Sequence, residues 1–164
     1  MSSRRRSLTL VWLAAAVGLV HAAASVYWAA GGRWLLASVG QWAVDLTTNA
    51  PDSAAAVLGV VALVKVLAAL IPVAVAHARM PWPRWWRAIS WVGGSFLVLY
   101  GGLNIVVSAA VLTGIVRPDG GYDPVAMKGH AFLWDPLFFL WGLFLVGSLW
   151  WSRPAVDQPR PVQP

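Results

Sequence analysis

The stretch that decides the fold is AAAVLGVVALVKVLAALIPVAVA, Ala54 to Ala76, in which Lys65 is the one charged residue. A helix that crosses a bilayer needs about 20 predominantly apolar residues, and this run supplies them. Three further runs of comparable length lie at about residues 8–30, 88–114 and 131–151. Together they predict an all-α fold, an integral membrane bundle of four transmembrane helices over residues 8–151. A basic segment, 1–7, precedes it, and the proline-rich tail SRPAVDQPRPVQP, 152–164, is expected to be disordered.

Composition supports the same class. Apolar residues make up 59% of the 164-residue chain and charged residues 11%, where a soluble domain carries roughly 25% charged residues. Glutamate is absent, so too few carboxylates exist to solvate a soluble surface. Cysteine is absent as well, which excludes disulfides, thiolate metal sites, cysteine nucleophiles and thiol–disulfide chemistry. The net charge of +6 comes from basic residues gathered at the ends of the apolar runs. That placement fits a lipid surface and gives no basic face for nucleic acid.

The first run begins RRRSLTLVWLAAAVGLVHAAAS, which has the basic start, apolar centre and small residues of a cleavable signal peptide. It continues through Val26, Tyr27, Trp28 and Ala30 without a polar break, so a retained span is expected. Arg4, Arg5, Arg6, Arg79, Arg84, Arg87, Arg153 and Arg160 fall on one side of the four spans, against Arg33, Arg117 and Lys128 on the other. The excess of Lys and Arg marks the cytoplasmic side, so both termini are expected there, with the chain in the cell membrane. Tryptophans repeat the frame: Trp82, Trp85, Trp86, Trp91, Trp150 and Trp151 at the inner boundary, Trp28, Trp34, Trp42 and Trp134 at the outer one, and Trp141 deep.

The outer loop from Gly31 to Ser53 carries Leu35, Val39, Trp42 and Leu46 at helical spacing, which predicts a short interfacial helix. Asp52 and Ser53 are candidate N-caps for the second span, and Asp123 a candidate cap for a short turn beginning at Pro124.

Lys65 lies roughly 17 Å from the outer end of its run, near the midplane. A charge there costs on the order of 3 kcal/mol or more, and the lysine stem reaches only about 6 Å, so it does not reach the headgroups unaided. It is expected to face the bundle interior and a partner. His21, Asn104 and Asp135 lie in the outer half and could converge with it. Each has a plainer reading. Asp135-Pro136 is a standard helix start, with the carboxylate capping free N–H groups. His21 and Asn104 can serve as packing bonds between helices. His77 and His130 are expected to be solvated. One intramembrane histidine does not make a bis-histidine haem site.

Three stretches carry a resemblance: HAAASVYWAAGGRWLL (21–36), GGLNIVV (101–107) and LWDPLFFLWGLFL (133–145). With them the chain resembles the bacterial domain-of-unknown-function family 3995. The resemblance covers about residues 8 to 151 and implies a small four-helix bacterial membrane protein without implying an activity. By position it marks His21, Trp28, Gly31, Gly32, Asn104, Asp135 and Pro136; Lys65 rests on depth alone.

The functional expectation is a multi-pass membrane protein that binds a small polar or anionic ligand through His21, Lys65, Asn104 and Asp135. The alternative is a partner subunit of a membrane complex whose buried polar groups serve helix packing. An enzyme is not expected, because no second intramembrane carboxylate and no metal-ligand spacing occur, and neither cofactor nor metal is expected. The expected partners are the lipid bilayer, a small-molecule ligand or a membrane protein, and no nucleic acid.

Overall fold

The computed structural model describes residues 2–152, so the expected disorder of the tail lies almost wholly outside the described residues. Five helices appear: α1 (Ser3–Ala29), α2 (Gln41–Asn49), α3 (Pro51–Ala76), α4 (Pro83–Leu112) and α5 (Pro124–Trp151). No strand occurs among the described residues. All but α2 are long and apolar enough to cross a membrane. The shortest of the four, α3, has 26 residues and extends about 39 Å, beyond the roughly 30 Å of a hydrocarbon core.

Local chemistry sets the helix ends. Ser2 Oγ accepts from Arg5 N at 3.4 Å at the start of α1. Pro51 and Pro83 open α3 and α4, where a missing N–H costs nothing. Asp52 sits in the first turn of α3, but neither it nor Ser53 caps: the N-cap is Ala50, with no side-chain bond. The Asp52 carboxylate there meets the positive end of the helix dipole. Asp123 does cap as expected, its Oδ1 accepting from Val125 N at 2.8 Å and Ala126 N at 3.2 Å.

Beyond Asp123 the chain departs from the expected course. The helix does not stop after a short turn and restart at Asp135-Pro136. It runs on from Pro124 to Trp151, through a π-helical segment at His130–Trp134. A proline inside an α-helix removes one bond and clashes with the carbonyl four residues back. Here the wider π turn accommodates Pro136, and Asp135 N–H donates to His130 O, five residues back. Asp135 is therefore an interior residue of the helix and not its cap.

Packing follows the small residues. α1 lies along both α3 and α5, and α5 along α4, while α3 and α4 touch only sparsely. The α4–α5 seam is close because a Cβ on Gly101 would lie 2.7 Å from Asp135 O, and one on Gly142 2.7 Å from Gly94 O. Gly18 of α1 likewise leaves room for the Trp141 ring, which is buried as expected. Ala14, Ala69, Trp141, Leu145 and Leu149 form the middle of the core. Large apolar side chains point outward instead, among them Val60, Val92, Leu99, Leu103 and Val106, which is the pattern of a lipid-facing surface.

The loop between α1 and α3 folds back over the bundle. Leu35 (φ 59°) and Gly40 (φ 132°) break the expected helical repeat, so only Gln41–Asn49 forms an α-helix, preceded by a 3₁₀ turn at Leu36–Ser38. Trp28 and Trp134 are buried, not belt residues. Trp28 Nε1 donates to Trp34 O at 2.9 Å and Trp134 Nε1 to Ser38 Oγ at 3.0 Å, so both indoles hold this loop down. A Cβ on Gly129 would collide with Ser38 O, so the same loop also abuts the start of α5.

Candidate functional site

Side chains on a helix lean towards its N-terminus, which for α3 is the end carrying α2. Lys65 therefore reaches from mid-helix towards that end. Its Nζ donates to Ser25 Oγ at 2.8 Å and lies 3.1 Å from His21 Nδ1. The ammonium also sits 5.8 Å from the centre of the Phe138 ring, so α1, α3 and α5 all contribute. His21 and Ser25 are four residues apart on one face of α1, both buried. The His21 ring packs 4.1 Å from the Phe138 ring and 5.5 Å from that of Trp134, centroid to centroid. A protonated Lys65 uses His21 Nδ1 as an acceptor, which puts the imidazole proton on Nε2. That Nε2 is buried and has no hydrogen-bond partner among the described residues.

Asp135 is 1% exposed and has its own partner, His130, with Oδ2 to Nδ1 at 3.0 Å. His130 Nε2 lies 3.2 Å from Val39 O. A carbonyl can only accept, so Nε2 carries a proton. A second proton lies between Nδ1 and Oδ2, and the pair is neutral overall whichever atom holds it. The other carboxylate oxygen, Oδ1, is buried without a partner among the described residues.

The four expected residues thus separate into two clusters. Lys65 and His21 meet, joined by Ser25. Asp135 and Lys65 do not pair: the His130–Asp135 contact is the one ion pair within 4.0 Å among the described residues. Asn104 joins neither cluster. It is half-buried on α4, and its side chain makes no hydrogen bond among the described residues. Trp134 and Phe138, which flank Asp135 along α5, both pack against the His21 ring of the first cluster.

His130 is the residue sequence reasoning missed. It is 30% exposed and bonded on both ring nitrogens, not solvated. His77 is exposed as expected, its ring edge-on to Trp12. Residues five apart on an α-helix point about 140° away from each other, so helical phase hides the His130–Asp135 pair. The π turn brings them together. The available signal was Pro136 in an apolar run, beside a carboxylate in need of a donor. Among the described residues no three His, Cys, Asp or Glu side chains group as metal ligands do.

Four helices long and apolar enough to cross a membrane, around buried polar clusters, are consistent with a multi-pass membrane protein. The family model of DUF3995, described as a protein of unknown function, matches residues 18–145, and the chain belongs to that family. No curated protein and no solved structure matches it. The matched region contains both clusters entire, from His21 to Phe138.

Proposed function

We propose that the protein binds a small polar or anionic ligand within the cell membrane, between the Lys65–His21–Ser25 cluster and the Asp135–His130 cluster. One observation carries this: His21 Nε2 and Asp135 Oδ1 are both buried and both lack a hydrogen-bond partner among the described residues. An unsatisfied buried polar group costs about 1–3 kcal/mol, so each of the two calls for a ligand or water to complete it. Nε2 offers a donor and Oδ1 an acceptor. A small carboxylic or phosphoric acid that retains one proton satisfies both, and Lys65 supplies positive charge for it. Asn104 has no part in this reading. Binding is proposed rather than catalysis, because the site holds a single carboxylate.

Both termini lie on the cytoplasmic side in this reading. Arg4, Arg5, Arg6, Arg79, Arg84 and Arg87 mark that end, while Asp45, Asp52, Asp119 and Asp123 lie at the other. α2 then rests at the outer membrane surface, with Trp42 exposed.

A second reading has an observation of its own. The polar contacts made by Lys65 and by His130 join separate elements, α3 to α1 and α5 to the α1–α2 loop, as packing ties in a subunit of a complex would. Thermal unfolding in phosphatidylcholine nanodiscs separates the two, with small carboxylates and inorganic phosphate as probes. Binding predicts that one probe class raises the Tm of the wild type, and that Lys65→Met and His21→Phe abolish the rise. If no probe acts, and both variants merely lower the Tm, the ligand reading fails and the ties remain.

A further inference from the structure

A second site lies at the opposite end of the bundle, where the termini are, and it is independent of the Lys65 and Asp135 clusters. A cavity of about 340 Å³ opens there, walled by all four long helices. Its polar lining includes Arg4, Ser7, Arg87, Ser90, Ser148 and Ser152, and Val11, Pro72 and Leu149 contribute apolar wall. No carboxylate of the described residues lies at this end: Asp45, Asp52, Asp119, Asp123 and Asp135 all belong to the other half.

The hydrogen bonds show which groups are available. Ser90 spends its O–H on Trp86 O at 2.8 Å, and Ser152 its O–H on Leu149 O at 3.1 Å. Arg87 gives Nη1 to Ser152 Oγ at 2.9 Å and Nη2 to Leu149 O at 3.4 Å. A guanidinium has five N–H donors, so Arg87 is held in place with donors to spare. Arg4 makes no ion pair among the described residues. The serines position, and two arginines without a carboxylate partner among the described residues line the cavity. That chemistry recognises phosphate.

An apolar slot of about 120 Å³ adjoins the cavity between α3 and α4, the two helices that scarcely touch. Pro72 and Ser90 line both spaces. From them the slot extends past Ala68 on α3 and past Gly93 and Leu97 on α4, towards the middle of the bundle, where Trp141 lines it. A Cβ on Gly93 would meet nothing within 4 Å. A free phosphate ion has no use for this slot, whereas an acyl chain does.

We propose that the cavity at the termini end binds the phosphate of a net-anionic membrane phospholipid through Arg4 and Arg87, with one acyl chain in the α3–α4 slot.

The test uses the full-length protein in phosphatidylcholine nanodiscs doped with phosphatidylglycerol, with retained lipid counted by native mass spectrometry. The wild type should retain phosphatidylglycerol over phosphatidylcholine by about tenfold or more. Arg4→Gln with Arg87→Gln should remove most of that preference. Arg87 also ties Ser152 and Leu149, so the exposed Arg4→Gln alone serves should the double variant not fold, with a loss of about fivefold. Gly93→Leu should fill the slot and weaken retention without touching an arginine. A wild-type preference that survives both arginine changes would overturn the proposal. So would displacement of the lipid by inorganic phosphate together with a Gly93→Leu variant that behaves as wild type, because the occupant would then be free phosphate.

Discussion

Lys65 is satisfied without a carboxylate. Its ammonium has a histidine nitrogen, a serine oxygen and the face of Phe138, all from neighbouring helices. Hydrogen bonds between membrane helices are worth about 0.6 kcal/mol on average and up to about 1.7. A double-mutant cycle of Lys65→Met and His21→Phe should return a coupling in that range, read from unfolding in mixed micelles. Lys65→Met with Asp135→Asn should be additive, because each residue has its own partner. A coupling above about 0.5 kcal/mol for that second pair would contradict the separation of the two clusters. The contact-making face of Lys65, turned to a partner inside the bundle, was legible in the sequence, as was the shared face of His21 and Ser25. Asn104 was misread because helical spacing places it with Gly101 and Ser108 on α4 but does not show what faces that stripe. Gly101 meets the α5 backbone at Asp135 O, and Asn104 makes no hydrogen bond there.

At the scale of elements, the four long helices could be read from apolar run length, because a bilayer imposes a minimum that the sequence must meet. The start of the last one could not. WDP has the form of a helix start, yet Pro136 lies inside a continuous helix, directly after the π turn at His130–Trp134. Pro136→Ala removes the reason for that turn. The segment should then relax towards α-helix and swing His130 away from Asp135, which the imidazole NMR signals of His130 would report. Unchanged His130 signals would mean that the π turn rests on other contacts. Glycines give a second contrast. Gly101→Ala and Gly142→Ala place a Cβ 2.7 Å from backbone oxygens of the facing helix, and each should cost about 1–3 kcal/mol. Gly59→Ala, where a Cβ meets nothing within 4 Å, should stabilise α3 by up to about 1 kcal/mol. Unfolding midpoints of the three variants test the assignment of the α4–α5 seam.

For the whole molecule, sidedness is the most accessible question, and the absence of cysteine makes it simple. Single cysteines introduced at Ser3 and at Asp119 should react from opposite sides of intact cells with a membrane-impermeant maleimide. Asp119 should be labelled from outside and Ser3 only after the cells are opened. The reverse pattern would invert the proposed topology and place the arginine-lined cavity at the outer leaflet. The twelve tryptophans illustrate how far whole-molecule inference reaches from composition. Trp34, Trp42, Trp82 and Trp85 are exposed, as boundary placement requires of them. That placement fails for Trp28 and Trp134, which the α1–α2 loop covers: Trp28 bonds Trp34, six residues on, and Trp134 bonds Ser38, far away in sequence.

The order of contacts also bears on how the protein is made. α1 packs on α3 and on α5, and α4 packs chiefly on α5, so α5, synthesised after the other three long helices, joins two parts that otherwise scarcely meet. Until α5 leaves the ribosome and enters the bilayer, the glycine face of α4 has no partner, and the α1–α3 hairpin stands apart from it. Assembly of the two parts therefore waits for α5. An α4 waiting in lipid with that face uncovered is the stage at which a chaperone, a protease or a second chain would find it.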